Sequence, residues 1–89
     1  MRQVTPVECL IDHVDEPSRR IVRIAGRLGF AQVADLQRIC TERAERQLVV
    51  DLTELLHVDA VGLEALRLIR HKGATFVRMS EYMRLKLEL

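Results

Sequence analysis

The sequence is poor in aromatic residues, proline and glycine. Only 3% of its 89 residues are aromatic and tryptophan is absent, whereas 48% are hydrophobic. The core must therefore be aliphatic, built from valine, leucine, isoleucine and alanine. The scarcity of aromatic side chains also removes the stacking platforms on which single-stranded nucleic acids bind. We find no internal repeat, low-complexity tract or linker.

Cysteines and long apolar runs are also scarce. Cys9 and Cys40 are far apart and form no Cys-x-x-Cys pair, so we interpret both as small buried thiols of a reduced protein. No run approaches the ~20 apolar residues of a membrane span. The first residues, Met1 to Val4, do not open an apolar signal sequence. The sequence predicts a cytoplasmic protein of one domain, residues 1–89, without a transmembrane segment.

Charge of one sign is not in excess. Fourteen basic and 13 acidic residues give a net charge of +1, and a nucleic-acid-binding protein usually needs a concentrated basic face. Four arginines do crowd one segment, Arg19, Arg20, Arg23 and Arg27. We interpret them as a solvated strand face and turn, and we expect no nucleic-acid partner.

The first third of the chain has the alternation of β-strands. Val7, Cys9 and Ile11 alternate with Glu8, Leu10 and Asp12, and a second run from Arg20 to Leu28 places Val22 and Ile24 on one side. Turn-forming residues, Asp15-Glu16-Pro17-Ser18, separate the two runs. The pattern predicts an antiparallel hairpin.

Helical and strand patterns then alternate. Phe30 to Arg46 has an apolar stripe at helical spacing, and Cys40 lies on that stripe. Leu48-Val49-Val50 lacks polar alternation and predicts a central strand covered on both faces. Ala74 to Met79 predicts another strand.

Two further helices have recognisable starts. Asp59 stands where an N-cap belongs, and Gly62 just inside that helix indicates close approach to a neighbouring element. Gly73 is a C-terminal signal for the same helix. Ser80 predicts the N-cap of a third helix, with Tyr82, Leu85 and Leu89 on one side, although the tail also alternates like a strand.

The predicted element order is β-β-α-β-α-β-α. Strands alternating with helices imply right-handed crossovers and a parallel portion of sheet. The opening hairpin makes the sheet mixed. We therefore predict an α/β fold with a mixed four-stranded sheet and helices packed on it.

The sequence offers little support for catalysis or metal binding. It has no nucleophile elbow, P-loop or Gly-x-Gly-x-x-Gly, so we expect neither an enzyme, nor catalytic residues, nor a cofactor. Asp51, His57 and Asp59 are near one another in sequence but lack the spacing of a zinc site. We interpret Asp51 as a strand-end hydrogen-bond acceptor and His57 as an exposed loop residue, and predict no metal site.

The segment from Gln47 to Arg78 resembles the core of STAS domains (sulfate transporter and anti-sigma-factor antagonist). It reads strand, loop, Asp59-Ala60-Val61-Gly62, helix and strand. In that family the residue after the aspartate is commonly a serine or threonine that is phosphorylated. Here that position is Ala60, so the resemblance implies the fold and a class of partner without the phosphorylation switch. Two other hydroxyl residues, Thr53 and Ser80, could carry a phosphate in principle, and we interpret them as a turn residue and a cap.

The resemblance implies a non-catalytic regulatory module of the anti-sigma-factor-antagonist type. Its partner would be an anti-sigma factor or another kinase-like regulator, bound without control by phosphate. The docking face would comprise His57, Asp59, Ala60, Val61 and Glu64, with Gly29 and Phe30 beside it. Two alternatives stay open, an accessory subunit that binds the ATPase of an ABC-type lipid transport complex, and a sensor of nucleotides or lipids. Exposed sheet edges also allow a homodimer without requiring one.

Overall fold

A hairpin opens the described part of the chain, which comprises residues 9–42 and 45–88 of the computed structural model. Strands β1 (Cys9–Asp15) and β2 (Arg19–Leu28) pair antiparallel, from Cys9 opposite Gly26 to Asp15 opposite Arg20. The predicted hairpin is confirmed. Val7, which we assigned to its first strand, lies outside the described residues.

Three further strands extend the sheet in parallel. Strand β3 (Gln47–Asp51) pairs with β2 on one side and with β5 (Thr75–Val77) on the other. Strand β4 (Leu55–Val58) also pairs with β2, beyond the point where β3 ends. The order is therefore β1-β2-β3-β5, with β4 added to β2. The mixed sheet confirms the predicted α/β fold class.

The sheet has five strands, so the predicted number of four is wrong. The sequence predicts a loop where the structure has the additional strand, β4. It is only four residues long, and its pairing with β2 moves from Gly26 opposite Leu55 to Arg27 opposite His57. Leu56 is thus an extra residue in a β-bulge, which breaks the alternation by which a strand is recognised in sequence.

Three helices accompany the sheet, α1 (Phe30–Thr41), α2 (Ala60–His71) and α3 (Glu81–Leu87). Helix α1 is shorter than the predicted range, Phe30 to Arg46, because the chain turns back towards β3. The backbone N–H of Gln47 donates to Ser18 O at 2.9 Å. The Arg46 side chain donates to Glu16 O at 2.8 Å. Both contacts place residues 46 and 47 against the turn between β1 and β2, so the helix does not continue to Arg46.

Helix α2 ends at His71, and Gly73 just beyond its C-cap residue Lys72 provides the predicted C-terminal signal. Gly73 adopts φ 110°, a left-handed conformation that costs glycine little. Its N–H donates to Arg70 O at 3.0 Å, and the N–H of Ala74 donates to Ile69 O at 3.3 Å. These two bonds form a Schellman motif, which satisfies carbonyl groups at the helix end.

One aliphatic core lies between the helices and one face of the sheet. Its fully buried side chains come from β2, β3, all three helices and the turn after β3: Val22, Ile24, Leu28, Leu36, Val50, Leu52, Leu66 and Met83. On α3 the inward residues are Met83 and Leu87. Tyr82 and Leu85, which we predict to share one side of that helix, are both exposed, and Leu89 lies outside the described residues.

Arg20 belongs to this buried face and not to a solvated one. Its side chain forms two hydrogen bonds to the Asp15 carboxylate, at 2.6 and 2.9 Å, and donates to Ile39 O at 2.7 Å. The guanidinium also lowers the pKa of Asp15 by hydrogen bonding and by its charge. The predicted solvated arginine face is thus wrong for Arg20, although Arg23 and Arg27 are exposed.

The opposite face of the sheet, here called the outer face, carries Leu10, Val14, Ile21, Arg23, Ala25 and Val49. Strand β3 is central as predicted, but Val49 is only half-buried because the core covers the other face. Cys9 is also only half-buried, since it lies on an edge strand, and this burial raises the pKa of its thiol. Within the described residues, no helix combines the length and apolar character needed to cross a membrane.

Candidate protein-binding site

The Asp59 carboxylate joins the starts of two helices. Asp59 is the N-cap of α2, where its Oδ1 atom accepts a hydrogen bond from Gly62 N at 2.7 Å. Its Oδ2 atom accepts from Phe30 N, the first residue of α1, at 3.2 Å. The amino ends of both helices carry partial positive charge and unsatisfied N–H groups. One carboxylate therefore serves both ends, which confirms the predicted capping role and adds a second one.

Gly29 leaves room for this arrangement. A Cβ atom added to Gly29 would lie 3.0 Å from Asp59 Oδ2. The Gln32 side chain accepts from Gly29 N at 3.1 Å, and Gln32 N donates to Gly29 O at 3.0 Å. This reciprocal pair satisfies the first turn of α1 although glycine has no side chain with which to cap it.

Gly62 permits the close approach that the sequence indicates. A Cβ atom at Gly62 would lie 2.8 Å from Leu28 O and 2.8 Å from a Val58 methyl group. Asp59 N also donates to Leu28 O at 3.1 Å. The first turn of α2 is thereby held directly against the carboxyl ends of β2 and β4.

An open cleft of about 370 Å³ lies beside Asp59. It is lined by residues from the end of β2, the start of α1 and the end of β4: Arg27, Leu28, Gly29, Phe30, Ala31, Gln32, His57 and Asp59. The Phe30 side chain is 76% exposed. Aromatic side chains are enriched at protein-binding surfaces.

The first turn of α2 continues this surface. Ala60, Val61 and Glu64 are exposed, and Val61 keeps 45% of its surface accessible. The Glu64 side chain pairs with Arg67 at 3.2 Å. The structure thus brings four of the predicted residues to the cleft, Gly29, Phe30, His57 and Asp59, and places the other three beside it. Their role in binding stays a prediction.

Arg27 and Tyr82 also lie at this surface, although the sequence does not predict them as site residues. Arg27 lies opposite His57 in the pairing of β2 with β4 and lines the cleft. Tyr82 comes from α3, and its hydroxyl lies 3.3 Å from His57 Nδ1 with the two rings stacked at 6.4 Å. Both placements depend on contacts between distant segments, for which the sequence pattern contains no signal.

Asp51 does not join His57 and Asp59. Its Oδ1 atom accepts from the N–H and the hydroxyl of Thr53, at 2.9 and 2.6 Å. Burial raises the pKa of Asp51, but the hydrogen bonds from Thr53 and the nearby arginine charges outweigh it and leave the pKa lowered. Across residues 9–42 and 45–88, no three histidine, cysteine or acidic side chains are grouped to hold a metal ion.

The hydroxyl residues Thr53 and Ser80 have structural roles. Thr53 donates to Asp51. Ser80 accepts from Met83 N at 3.1 Å as the N-cap of α3. Both observations confirm the turn and cap roles that the sequence predicts. Ala60 is the first residue of α2 and offers no hydroxyl there.

The architecture is that of STAS domains, also described as the SpoIIAA-like fold. A solved STAS domain of an antisigma-factor antagonist from Rhodobacter sphaeroides superposes with a TM-score of 0.62 at 22% identity, over 84% of this chain and 95% of that one. An uncharacterised protein with a SpoIIAA-like fold from Shewanella loihica gives 0.59 at 13% identity, over 96% and 79%. Known family models and curated proteins give no match.

Proposed function

We propose that the chain is a non-catalytic regulatory module that binds a protein partner through the surface around Asp59. This surface comprises Phe30, His57, Ala60, Val61 and Glu64 together with the cleft beside them. The partner class is an anti-sigma factor or another kinase-like regulator. The fold shared with an antisigma-factor antagonist supports this class, at an identity of 22%.

One observation carries the proposal. The Asp59 carboxylate holds the starts of α1 and α2 together through bonds to Phe30 N and Gly62 N. The exposed side chains of these two helix starts are thereby presented as one preorganised surface, and preorganisation lowers the entropic cost of binding. The same side chains contribute little to the core, which leaves them available for recognition.

Binding in this proposal is constitutive. A phosphate group would add nearly two negative charges, and at the first residue of α2 it would stand next to Asp59. Ala60 cannot accept one, so the abundance of the protein sets how much of the partner is sequestered.

The test is an affinity capture from the source cell followed by mass spectrometry, comparing the wild type with Ala60→Asp. The substitution adds a charge at the centre of the proposed surface. It leaves the fold intact, because an acidic residue is favourable in the first turn of a helix. A kinase-like regulator should be retained by the wild type and lost with Ala60→Asp.

Gln37→Asp is the matched control, since Gln37 is exposed on α1 away from the cleft. It should retain the partner as well as the wild type does. Equal retention by Ala60→Asp and Gln37→Asp would show that the partner binds elsewhere. Recovery of a transport ATPase in place of a signalling regulator would support the transport-accessory alternative.

A further inference from the structure

Strand β1 lies at one end of the sheet with a free edge. It pairs with β2 along one side over seven residues. On its other side no strand pairs with it among the residues that the structure describes. Such an edge presents a row of backbone N–H and C=O groups to which another strand can add.

The other exposed strands are protected in ways that β1 is not. Strand β5 has three residues, and β4 has four with a bulge. Short edges and bulges are the usual devices against strand addition, as are lysine and proline. Strand β1 is regular in its pairing, and its sequence, CLIDHVD, contains neither lysine nor proline.

Two apolar side chains on the outer face mark this edge. Leu10 is 56% exposed and Val14 is 57% exposed. They stand at equal distances on either side of Asp12. In an antiparallel pairing of two β1 strands centred on Asp12, Leu10 of each copy lies opposite Val14 of the other. That register also keeps all seven residues paired.

We propose that the protein self-associates through β1, with a second copy of the chain added antiparallel in this register. The two-fold axis passes midway between the two copies of Asp12 and runs perpendicular to the sheet. The interface is isologous, because each copy contributes the same strand. The helices of both copies lie on one side of a continuous sheet, and the apolar pairs of Leu10 with Val14 lie on the other.

Asp12 limits the strength of this association. It faces its own counterpart across the two-fold axis, and like charges directly opposite on adjacent strands are unfavourable. Within each copy its cross-strand neighbour is Arg23. No ion pair within 4.0 Å joins Arg23 to another described residue. Asp12 therefore acts as a charge that keeps the pairing reversible.

Sedimentation equilibrium of the full chain tests the proposal. The wild type should show a monomer–dimer equilibrium that depends on concentration. Asp12→Asn should tighten the dimer by roughly 3-fold, because one pair of like charges is removed. Val14→Lys should weaken it by about tenfold or more, since lysine is the residue that edge strands use against pairing.

Leu85→Lys is the control, because Leu85 is 77% exposed on α3, outside the proposed interface. It should dimerise like the wild type. Wild-type and Asp12→Asn proteins that both stay monomeric at every concentration would overturn the proposal. A dimer that is insensitive to Val14→Lys would overturn it too. The tighter dimer expected for Asp12→Asn is not an effect of lost folding. The test therefore remains decisive even if Val14→Lys folds poorly.

Discussion

Phe30 and Asp59 are 29 residues apart in sequence, and the backbone N–H of Phe30 donates a hydrogen bond to the Asp59 carboxylate at 3.2 Å. This single bond fastens the start of α1 to the start of α2. The other oxygen of the same carboxylate caps α2 by accepting from Gly62 N. Since each contact uses its own oxygen, a substitution at Asp59 can remove one contact and keep the other.

Asp59→Ala should remove both contacts and destabilise the protein by about 1–2 kcal/mol. Asp59→Asn should cost less, because asparagine is an equally good N-cap. Its single carbonyl oxygen keeps the bond to Gly62, whereas Phe30 loses its acceptor. Urea denaturation of the three proteins gives the free energies of unfolding. Equal losses for both variants would contradict separate roles of the two oxygens.

Gly62→Ala should destabilise the protein although alanine is the better helix former. The new Cβ atom would lie 2.8 Å from Leu28 O, a backbone atom that cannot rotate away. We expect overpacking to cost about 1–3 kcal/mol, which the gain in helix propensity of about 1 kcal/mol offsets only in part. Thermal unfolding followed by circular dichroism measures the difference. A stabilised variant would mean that α2 lies farther from the sheet than described.

Asp15→Asn should reduce stability at neutral pH more than in acid. Hydrogen bonds from Arg20 lower the pKa of Asp15 in the folded state, so the carboxylate stabilises the fold above its unfolded pKa of about 3.9. That contribution is lost as the pH falls through the lowered, folded-state pKa. The gap in unfolding free energy between wild type and Asp15→Asn should therefore close towards pH ~2. A gap that is independent of pH would contradict this coupling.

Tyr82→Phe should loosen the contact of α3 with β4 and leave the core unchanged. The hydroxyl of Tyr82 lies 3.3 Å from His57 Nδ1 at an exposed position, so its loss should cost no more than about 1 kcal/mol. Met83 and Leu87 would still pack α3 against the core. Hydrogen exchange should become faster in α3 while α2 keeps its protection. Unfolding of both helices together would show that the hydroxyl has a larger role.

Local signals predicted most of the fold. The Asp59 cap, the Gly73 terminus and the Ser80 cap each depend on neighbours within a few residues, and each is found. The close approach at Gly62 is also found, although it is made to the distant Leu28. Strand β4 was missed because its bulge at Leu56 removes the alternation that identifies strands.

Contacts between distant segments were beyond the sequence pattern. Arg20 points to the opposite side of β2 from Arg19 and Arg23. Its burial depends on hydrogen bonds to Asp15 and to the end of α1. The candidate site shows the same division. Its predicted residues follow from the resemblance around the Asp59 motif, whereas Arg27 and Tyr82 come from β2 and α3.

Each end of helix α1 contacts a charged side chain from another part of the chain. Its first turn has no acidic residue, and the anion at that end is Asp59. At the other end the guanidinium of Arg20 donates to Ile39 O, so a cation meets the negative end of the helix dipole. A peptide of residues 29–42 alone would lack both and, at this length, would be marginal as a helix in water. The stability of α1 thus depends on contacts with the rest of the chain.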